Sequence, residues 1–404
     1  MRTSRIAAAT TIVALLTACG NDPSVRSEAP QLPTETVIVR TTGGLSSINI
    51  DRGTVSVITE GTIASPDWRE LYATSGAPPA TAIVARTTVS GDVLARFRIA
   101  DDLVPTVASG SGRYVALTEP QGPGHSPWLP AGRRSSRIVV VDPSHPRSAR
   151  VFHLRGNFVP EAFATNDREL FMIEYIPALA PDRYQVRRLI FRNGAVRPIG
   201  RRKLAAPEQM RGTGRMQVLG PGGKQLYTLY TQQGPNYSHG DTSTHYEAQG
   251  YAFVHVLNLQ HGWAHCIDLP HPFGMGTATA SALDVSRDGR RLFVSDWTND
   301  VVAEIDTRRL RVRSTTSPVL GDADDATFAE TSGDGSLYLA GNDQVVVMHT
   351  DTMNVSQRWN FADEVTGLAV SSDGRWLYVG QKDAIAVVDR VSGREQLRVP
   401  VPDI

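Results

Sequence analysis

A short phrase recurs three times in the last third of the chain, as "DVSRDGRRLFVSDW" from Asp284, "ETSGDGSLYLAGND" from Glu330 and "AVSSDGRWLYVGQKD" from Ala369. Each copy contains an Asp-Gly pair, which favours a tight turn, and then a stretch that is apolar at alternate positions, which favours a strand. The turn glycines lie 46 and 39 residues apart. A period of this size is typical of stacked antiparallel blades and is incompatible with one long helix or coiled coil.

The three units share one order of elements: a strand, the Asp-Gly turn, a strand, a variable loop, a strand ending near Val-x-Asp, a turn and a last strand. We name these strands a, b, c and d, and four such strands make one antiparallel blade. In the final unit the pattern predicts strands at Thr366–Val370, Arg375–Val379, Ala384–Asp389 and Glu395–Val399.

Weaker copies of strand b occur upstream, in "GKQLYTLY" from Gly223, "DRELFMIEY" from Asp167, "GRYVALTE" from Gly112 and "WRELYATS" from Trp68. Residues 36–59 supply strands b, c and d of one more unit but no obvious strand a. The count predicts an all-β fold: a single β-propeller of four-stranded antiparallel blades over residues 36–404, with eight blades, seven being the alternative.

The segments "RRLFVSDWTNDVVAEIDTRRL", "GSLYLAGNDQVVVMHTDTMNV" and "GRWLYVGQKDAIAVVDRVSG" carry a resemblance to a known family. They resemble the YVTN-type β-propeller repeat of bacterial surface and periplasmic proteins, which is related to lactonase-like and quinoprotein dehydrogenase-like propellers. The resemblance is specific over residues 278–399 and implies a fold but no reaction. No position matches the active-site motif of a propeller enzyme.

The first residues, "MRTSRIAAATTIVALLTACG", have the pattern of an export signal. Two arginines precede an apolar run from Ile6 to Leu16, which is too short to cross a bilayer as a stable helix. Leu16-Thr17-Ala18-Cys19 resembles a bacterial lipobox, the motif in which a diacylglyceryl group is attached to the sulfur of the cysteine, here Cys19, and the peptide is cut just before that residue. An ordinary secretory signal cleaved near Ala18 is the alternative.

These features predict a lipoprotein signal peptide at residues 1–18, a lipid-anchored flexible tether at residues 19–35 and an extracytoplasmic location at the cell membrane. The 41 basic and 41 acidic side chains balance, so the overall charge does not favour nucleic acid or an anionic surface as a partner. With Cys19 lipidated, Cys266 is the only remaining thiol, and we expect it to be buried and inert. We further expect a monomer.

The b–c connections distinguish one face of the predicted propeller. They are long in three consecutive units, at residues 120–136, 175–183 and 231–250. Loops on a rigid scaffold are a common place for recognition, and aromatic and arginine side chains supply much of the binding energy at interfaces. The predicted ligand-binding residues are Trp128, Arg133, Arg134, Tyr175, Tyr237, His239, His245 and Tyr246. Unconstrained solvated insertions are the alternative.

Six of the ten histidines lie between His239 and His271, and only His261 and His265 have the four-residue spacing of a helical zinc site, but they fall in a predicted c–d turn and strand rather than on a helix. The sequence therefore predicts no metal site and no cofactor. Carboxylates also occur in two d–a connections: Asp322, Asp324, Asp325, Asp363 and Glu364. Solvated turns explain them, and a cation site at the mouth of the channel is the alternative.

The sequence thus predicts a membrane-tethered propeller without catalytic activity, which binds a protein, a peptide or a cell-envelope ligand through its long loops. The alternative is a lactonase-like or other hydrolytic propeller enzyme with an acidic, cation-dependent site at the channel mouth. A converging set of carboxylates, Asn and His would favour the enzyme, and an aromatic loop face without such a set would favour the binding protein.

Overall fold

Sheets of antiparallel strands, with one short parallel strand added at an outer edge, make up the regular structure of the described residues in this computed structural model, apart from two short 3-10 turns. The structure describes residues 13–15, 33–41, 44–57, 63–75, 81–87, 92–99, 102–120, 130–202, 209–212, 214–233, 252–321, 323 and 326–401. Within these residues there are eight sheets, which confirms the prediction of an all-β propeller and its count of eight blades. No helix in these residues has the length and apolar character needed to span a bilayer.

Blade 1 contains β1 (Val13–Leu15), β2 (Thr36–Thr41), β3 (Gly44–Asn49) and β4 (Thr54–Val57). Blade 2 contains β5 (Ile63–Ala64), β6 (Glu70–Ser75), β7 (Thr81–Thr87) and β8 (Val93–Ile99). Blade 3 contains β9 (Val104–Ala108), β10 (Val115–Thr118), β11 (Ser135–Val141) and β12 (Arg150–Arg155). Blade 4 contains β13 (Asn157–Phe163), β14 (Glu169–Ile176), β15 (Arg183–Ile190) and β16 (Ala195–Pro198).

Blade 5 contains β18 (Gly214–Leu219), β19 (Gln225–Thr231), β20 (Phe253–Asn258) and β21 (Trp263–Asp268), with β17 (Gly200–Arg201) added parallel to β21. Blade 6 contains β22 (Ser281–Val285), β23 (Arg291–Asp296), β24 (Val301–Asp306) and β25 (Arg311–Thr316). Blade 7 contains β26 (Phe328–Thr331), β27 (Ser336–Gly341), β28 (Gln344–His349) and β29 (Asn354–Asn360). Blade 8 contains β30 (Val365–Val370), β31 (Trp376–Gln381), β32 (Ala384–Asp389) and β33 (Glu395–Pro400), within two residues of the predicted bounds. Short 3-10 turns lie at Pro146–Ser148 and Ala278–Ala280.

The recurring Asp-Gly phrase is a hydrogen-bonded turn between strands a and b. In blade 6 the Ser286 hydroxyl donates to Asp288 Oδ1 at 2.7 Å and accepts from the backbone N–H of Arg291 at 3.0 Å. Blade 8 repeats this arrangement with Ser371 and Asp373. Gly374 has a φ of +71°, a conformation that glycine adopts without steric cost. The phrase therefore recurs because each of its polar residues satisfies backbone or side-chain groups of the same turn.

The Val-x-Asp ending of strand c has a similar local cause. Asp306 Oδ1 accepts backbone hydrogen bonds from Arg308 and Arg309 at 3.0 and 2.9 Å. Asp389 does the same for Val391 and Ser392 in blade 8. A carboxylate at this position closes the c–d turn by capturing two backbone N–H groups.

The hydrophobic core is distributed between the blades. In the described residues, eight buried apolar clusters each join two neighbouring blades, and together they close the ring. Blades 8 and 1 pack through Trp376 and Val37, and blades 1 and 2 pack through Ile38 and Leu71. Burying one such side chain contributes about 1.5–3 kcal/mol, so every interface contributes substantially to stability.

Blade 1 differs from the other blades in its innermost strand. Val13–Leu15 pairs antiparallel with Thr36–Thr41, with Val13 opposite Ile38 and Leu15 opposite Thr36. This segment lies within the predicted signal peptide. Residues 36–57 by themselves supply strands b, c and d, as the sequence predicts. The boundaries at residues 18 and 35 remain predictions.

Candidate functional site

The two faces of the propeller differ in the length of their connections. In blades 6, 7 and 8 the b–c connections are tight, and they run from Asp296 to Val301, from Gly341 to Gln344 and from Gln381 to Ala384. In blades 3, 4 and 5 they are longer, and they run from Thr118 to Ser135, from Ile176 to Arg183 and from Thr231 to Phe253. The long connections thus belong to three consecutive blades on one face.

The loops of blades 3 and 4 are joined at their bases. The backbone N–H of Arg133 donates to the carbonyl oxygen of Ala178 at 2.8 Å. The Asn157 amide donates to the carbonyl oxygens of Ala131 and Ala178 at 2.9 and 3.2 Å. These bonds hold the two loops against each other, so they form a continuous surface at this point.

Three of the predicted ligand-binding residues lie in the described chain. Arg134 is exposed. The Arg133 side chain is 15% exposed and pairs with Glu119 at 3.2 Å, so it braces the loop of blade 3. The prediction of Tyr175 as a surface contact is wrong: Tyr175 is 2% exposed because it ends a buried strand and its ring packs on Tyr184.

The other predicted residues lie outside the described residues. They are the lipidation site Cys19 and the loop residues Trp128, Tyr237, His239, His245 and Tyr246. Asp322, Asp324 and Asp325 also lie outside them, whereas Asp363 and Glu364 are exposed turn residues. The roles predicted for all these residues remain predictions.

A buried charged residue lies beneath the long loops, on the inner strand of blade 4. Strand β13 has a register shift between Pro160 and Ala162, and Glu161 is the extra residue at this bulge. Bulges change the direction in which a side chain points. The Glu161 side chain is only 1% exposed, although it is charged and follows a proline within an otherwise apolar strand.

The inner strand of blade 5 supplies the partners of Glu161. Arg215 Nη2 lies 3.2 Å from Glu161 Oε1, and Gln217 Nε2 donates to the same oxygen at 2.7 Å. Arg215 is 14% exposed and Gln217 is exposed. Gly214 permits the close approach of β18 to β19, because a Cβ at this position would lie 1.7 Å from Thr231 Oγ1.

A row of aromatic rings surrounds this ion pair. The ring centroids of Tyr175 and Tyr184 are 5.9 Å apart, those of Tyr184 and Tyr230 are 5.5 Å apart, and those of Tyr230 and Phe253 are 5.1 Å apart. Arg215 Nη1 donates to the Tyr175 hydroxyl at 3.4 Å. All four rings are buried at the ends of strands that lead into the long loops of blades 4 and 5. We call Glu161, Arg215, Gln217, Tyr175, Tyr184 and Tyr230 the polar cluster.

Burial dominates the electrostatics of the polar cluster. It raises the pKa of Glu161, and Arg215 and Gln217 offset part of that shift. Burial is the largest single influence on the pKa of Arg215 and lowers it, but Glu161 and the neighbouring tyrosines together outweigh burial and raise that pKa, so the guanidinium remains charged. Burial also raises the pKa of Tyr230 well above its usual value, which keeps the hydroxyl protonated.

Two buried atoms of the polar cluster have no hydrogen-bond partner among the described residues, Glu161 Oε2 and the Tyr230 hydroxyl. Unsatisfied buried polar atoms are rare because each costs about 1–3 kcal/mol. Glu161 Oε2 can accept a hydrogen bond and the tyrosine hydroxyl can donate one. The polar cluster can therefore bind a polar group, either water or part of a ligand, but it contains no nucleophile positioned beside a base.

A second pair of carboxylates lies on the inner strands of blades 6 and 7. Asp284 Oδ2 accepts the backbone N–H of Thr331 at 2.6 Å, and Glu330 Oε1 accepts that of Val370 at 3.2 Å. Each carboxylate thus bonds to the inner strand of the next blade. Burial raises the pKa of Asp284 to about 6. Burial and the neighbouring Asp284 raise the pKa of Glu330, while Arg287 opposes that shift.

The described residues include no group of three or more His, Cys, Asp or Glu side chains that could hold a metal ion. His255 is buried in β20, with its ring edge-on to Tyr230 at 6.1 Å, and His261 lies in the c–d turn of the same blade. Cys266 is buried in β21, as predicted.

The sequence analysis did not identify Glu161, Arg215, Gln217, Tyr184 or Tyr230. One signal was present, because Glu161 is the only charged residue in the apolar stretch "NFVPEAF". A charge in such a strand is either paired or functional. Its partner could not be predicted, since Arg215 is 54 residues away and on a different blade.

No family model matches this chain, and no curated protein matches it. Several solved structures do align with this chain. The dihydro-heme d1 dehydrogenase NirN, solved in complex with DHE, aligns with a TM-score of 0.57 at 15% identity, over 94% of this chain and 76% of that one. AztD from Citrobacter koseri aligns with a TM-score of 0.54 at 11% identity, over 91% and 94% of the two chains. BamB from Moraxella catarrhalis aligns with a TM-score of 0.51 at 12% identity, over 86% and 90%.

These neighbours are β-propellers, and the chain described here is a β-propeller with eight blades. At such low identities the similarity concerns the fold alone, and propellers host many unrelated activities.

Proposed function

We propose that this protein is a membrane-tethered, extracytoplasmic propeller that binds a protein, a peptide or a cell-envelope ligand on the face formed by the long loops of blades 3, 4 and 5. The observation that carries the proposal is the polar cluster beneath these loops, with two buried polar atoms that have no hydrogen-bond partner within the described part of the chain. A ligand seated between the loops could satisfy Glu161 Oε2 with a hydroxyl, amide or ammonium group.

The joined bases of the loops support this proposal. Loops held by Arg133 N–H and Asn157 lose less conformational entropy on binding than free loops would. The a–b turns of the opposite face are tight, and their polar groups are already bonded to one another, as at Ser286 and Asp288. These turns therefore offer few groups for recognition of such a ligand.

Two variants of the long-loop face test this function. The first replaces residues 234–250 with a short Gly-Ser linker after Gln233, which is kept because its Oε1 accepts the backbone N–H of Arg211 at 2.9 Å. The second is Trp128→Ala. Truncating an aromatic anchor typically costs about 2 kcal/mol, so we expect capture of the partner from solubilised envelope to weaken about thirtyfold or more.

Val391→Ala is the matched control, because Val391 is 84% exposed in a turn of the opposite face. It should retain full capture, and all three variants should keep the wild-type melting temperature, since stability depends weakly on loop length. Undiminished capture by both long-loop variants would place binding elsewhere on the molecule.

The proposed membrane tether has its own test. Cys19→Ala should abolish incorporation of a fatty-acid probe into the protein, because the thiol that receives the diacylglyceryl group is gone. Cys266→Ala is the control and should be labelled normally, since Cys266 is buried in β21. Labelling that survives in the Cys19 variant would refute lipidation at this residue.

A further inference from the structure

Two long stretches of the chain contain no acidic residue. Residues 143–160 have three arginines and two histidines, and residues 183–207 have seven arginines and one lysine. The overall charge of the protein is balanced, so this segregation is invisible in its composition. This segregation of charge along the chain creates a basic surface only if the two stretches lie together in the folded protein.

In the fold these stretches form the outer strands of adjacent blades. Strand β12 is the outermost strand of blade 3, β16 is the outermost strand of blade 4, and β17 lies on the outer edge of blade 5. Arg183, Arg187 and Arg188 lie in strand β15 and pair with acidic residues, whereas the other arginines of the two stretches are exposed. Six of these exposed arginines form what we call the basic rim: Arg147, Arg150, Arg155, Arg192, Arg197 and Arg202.

Two arginines in other blades are neutralised locally. Arg313 pairs with Glu304 at 2.8 Å in blade 6, and Arg398 pairs with Glu395 at 3.0 Å in blade 8. No member of the basic rim has a salt bridge to another described residue. The basic rim therefore carries a net positive field on a protein that is neutral overall.

Exposed apolar side chains accompany the basic rim. Val151 is 46% exposed in β12, and Val93 and Leu94 are 48% and 52% exposed in β8, the outer strand of blade 2. All three lie near the ends of their strands that follow c–d connections. Arginines mixed with exposed aliphatic side chains are typical of surfaces that rest on a bilayer interface.

The chain enters the propeller on this same face. The carboxylate of Glu35 accepts the backbone N–H of Ser372 at 2.9 Å and the Tyr378 hydroxyl at 2.8 Å. Ser372 belongs to the a–b turn of blade 8, and a–b turns and c–d connections emerge on one face. A tether ending at Glu35 therefore starts from the face of the c–d connections, opposite the long loops.

We propose that the basic rim, together with Val93, Leu94 and Val151, docks on an anionic phospholipid surface. This inference rests on the proposed membrane tether, which keeps the domain near the bilayer. Each arginine near an anionic leaflet adds to the attraction, and the effect falls off within a Debye length. Docking orients the propeller so that the long loops of blades 3, 4 and 5 point away from the membrane.

The test uses the lipidated protein reconstituted in vesicles of phosphatidylcholine, with and without phosphatidylglycerol. A fluorophore is attached to Val151→Cys in a Cys266→Ala background, and bromolipids in the vesicles quench it on contact. We expect quenching about twofold stronger or more in the anionic vesicles, with loss of this excess at high salt. A fluorophore at Val319→Cys, which is 70% exposed in the d–a connection between blades 6 and 7 and therefore lies on the opposite face, should be quenched equally in both vesicles.

Charge variants give the decisive comparison. Arg150→Gln, Arg192→Gln and Arg197→Gln, combined in one chain, should abolish the excess quenching at residue 151. The control combines Arg308→Gln, Arg311→Gln and Arg394→Gln, which makes the same change in net charge from exposed residues on the same face. It should leave the excess in place.

Equal quenching in neutral and anionic vesicles, or equal effects of the two triple variants, would overturn the proposal. It would also be overturned if the rim variants lost binding to a soluble polyanion while quenching stayed unchanged, because the basic rim would then bind an acidic polymer.

Failure of the lipid anchor gives a different result. If the protein does not float with the vesicles, it is not anchored. Co-sedimentation of the added protein with the same vesicles then decides whether the rim binds by itself.

Discussion

Replacing Arg215 with methionine should lower the free energy of unfolding by about 3–5 kcal/mol at pH 7, the cost typical of a buried charge left without its partner. Glu161 is 1% exposed and has Arg215 as its ion-pair partner at 3.2 Å, so the substitution leaves a buried carboxylate that only Gln217 supports. Thermal and denaturant unfolding of the two proteins would measure the loss.

The double variant Glu161→Gln with Arg215→Met should recover most of this loss, because no buried charge remains. Lowering the pH should also recover part of it in the single variant, since protonation of Glu161 removes the unpaired charge. Arg398→Met is the matched control: its pair with Glu395 is about one-third exposed on both sides, so we expect a change below about 1 kcal/mol. A single variant as stable as the control would show that Glu161 is hydrated in the folded protein.

The variant Asp284→Asn with Glu330→Gln should be more stable than the wild type at pH 8, by on the order of 1–3 kcal/mol, and should lose this advantage near pH 4. Burial raises the pKa of Asp284 to about 6 and, together with Asp284, raises the pKa of Glu330. Since both folded-state pKa values are raised, the folded protein binds these protons more tightly than the unfolded chain. That stabilisation is complete below the unfolded-state pKa values; the part from Asp284 is lost as the pH rises through about 6, and the part from Glu330 is lost as the pH rises through its own raised pKa.

The amide oxygens of the variant can still accept the backbone N–H groups of Thr331 and Val370, so the links between blades survive the substitution. The measurement is the melting temperature of both proteins from pH 4 to pH 8. Glu330→Gln alone should move the midpoint of the pH dependence towards lower pH, because it removes the carboxyl group whose pKa is raised both by burial and by Asp284, so that only Asp284 titrates. Parallel curves for the wild type and the double variant would mean that the pair does not titrate in this range.

If the polar cluster and the Asp284–Glu330 pair behave as expected, the inner strands serve two purposes. In blades 6 and 7 the carboxylates bond directly to the next inner strand and hold the ring together. In blade 4 the bulge at Glu161 leaves one carboxylate oxygen without a partner, beneath the long loops. That difference is the reason for placing ligand recognition at blades 3, 4 and 5.

The sequence alone predicted the repeating unit, because each repeat is stabilised by contacts between residues that are close along the chain. Ser286, Asp288 and the following N–H groups lie within five residues, so their hydrogen bonds can be inferred from the phrase itself. Alternation of apolar residues then predicted the strands, and their bounds in blade 8 are correct to within two residues. The number of blades followed from counting the units.

The tertiary structure alone decided which distant residues meet. Glu161 and Arg215 lie 54 positions apart, and their contact depends on the bulge in β13 and on the packing of blade 4 against blade 5. The burial of Tyr175 has a similar origin: a residue at the junction of strand and loop is covered only when Tyr184 of the neighbouring strand and Tyr230 of the next blade pack beside it. The basic rim likewise exists only because outer strands remote in sequence become neighbours. Local hydrogen bonds determine the structure of one repeat. A binding site depends in addition on how neighbouring blades pack against each other, and the sequence of a single repeat does not determine that packing.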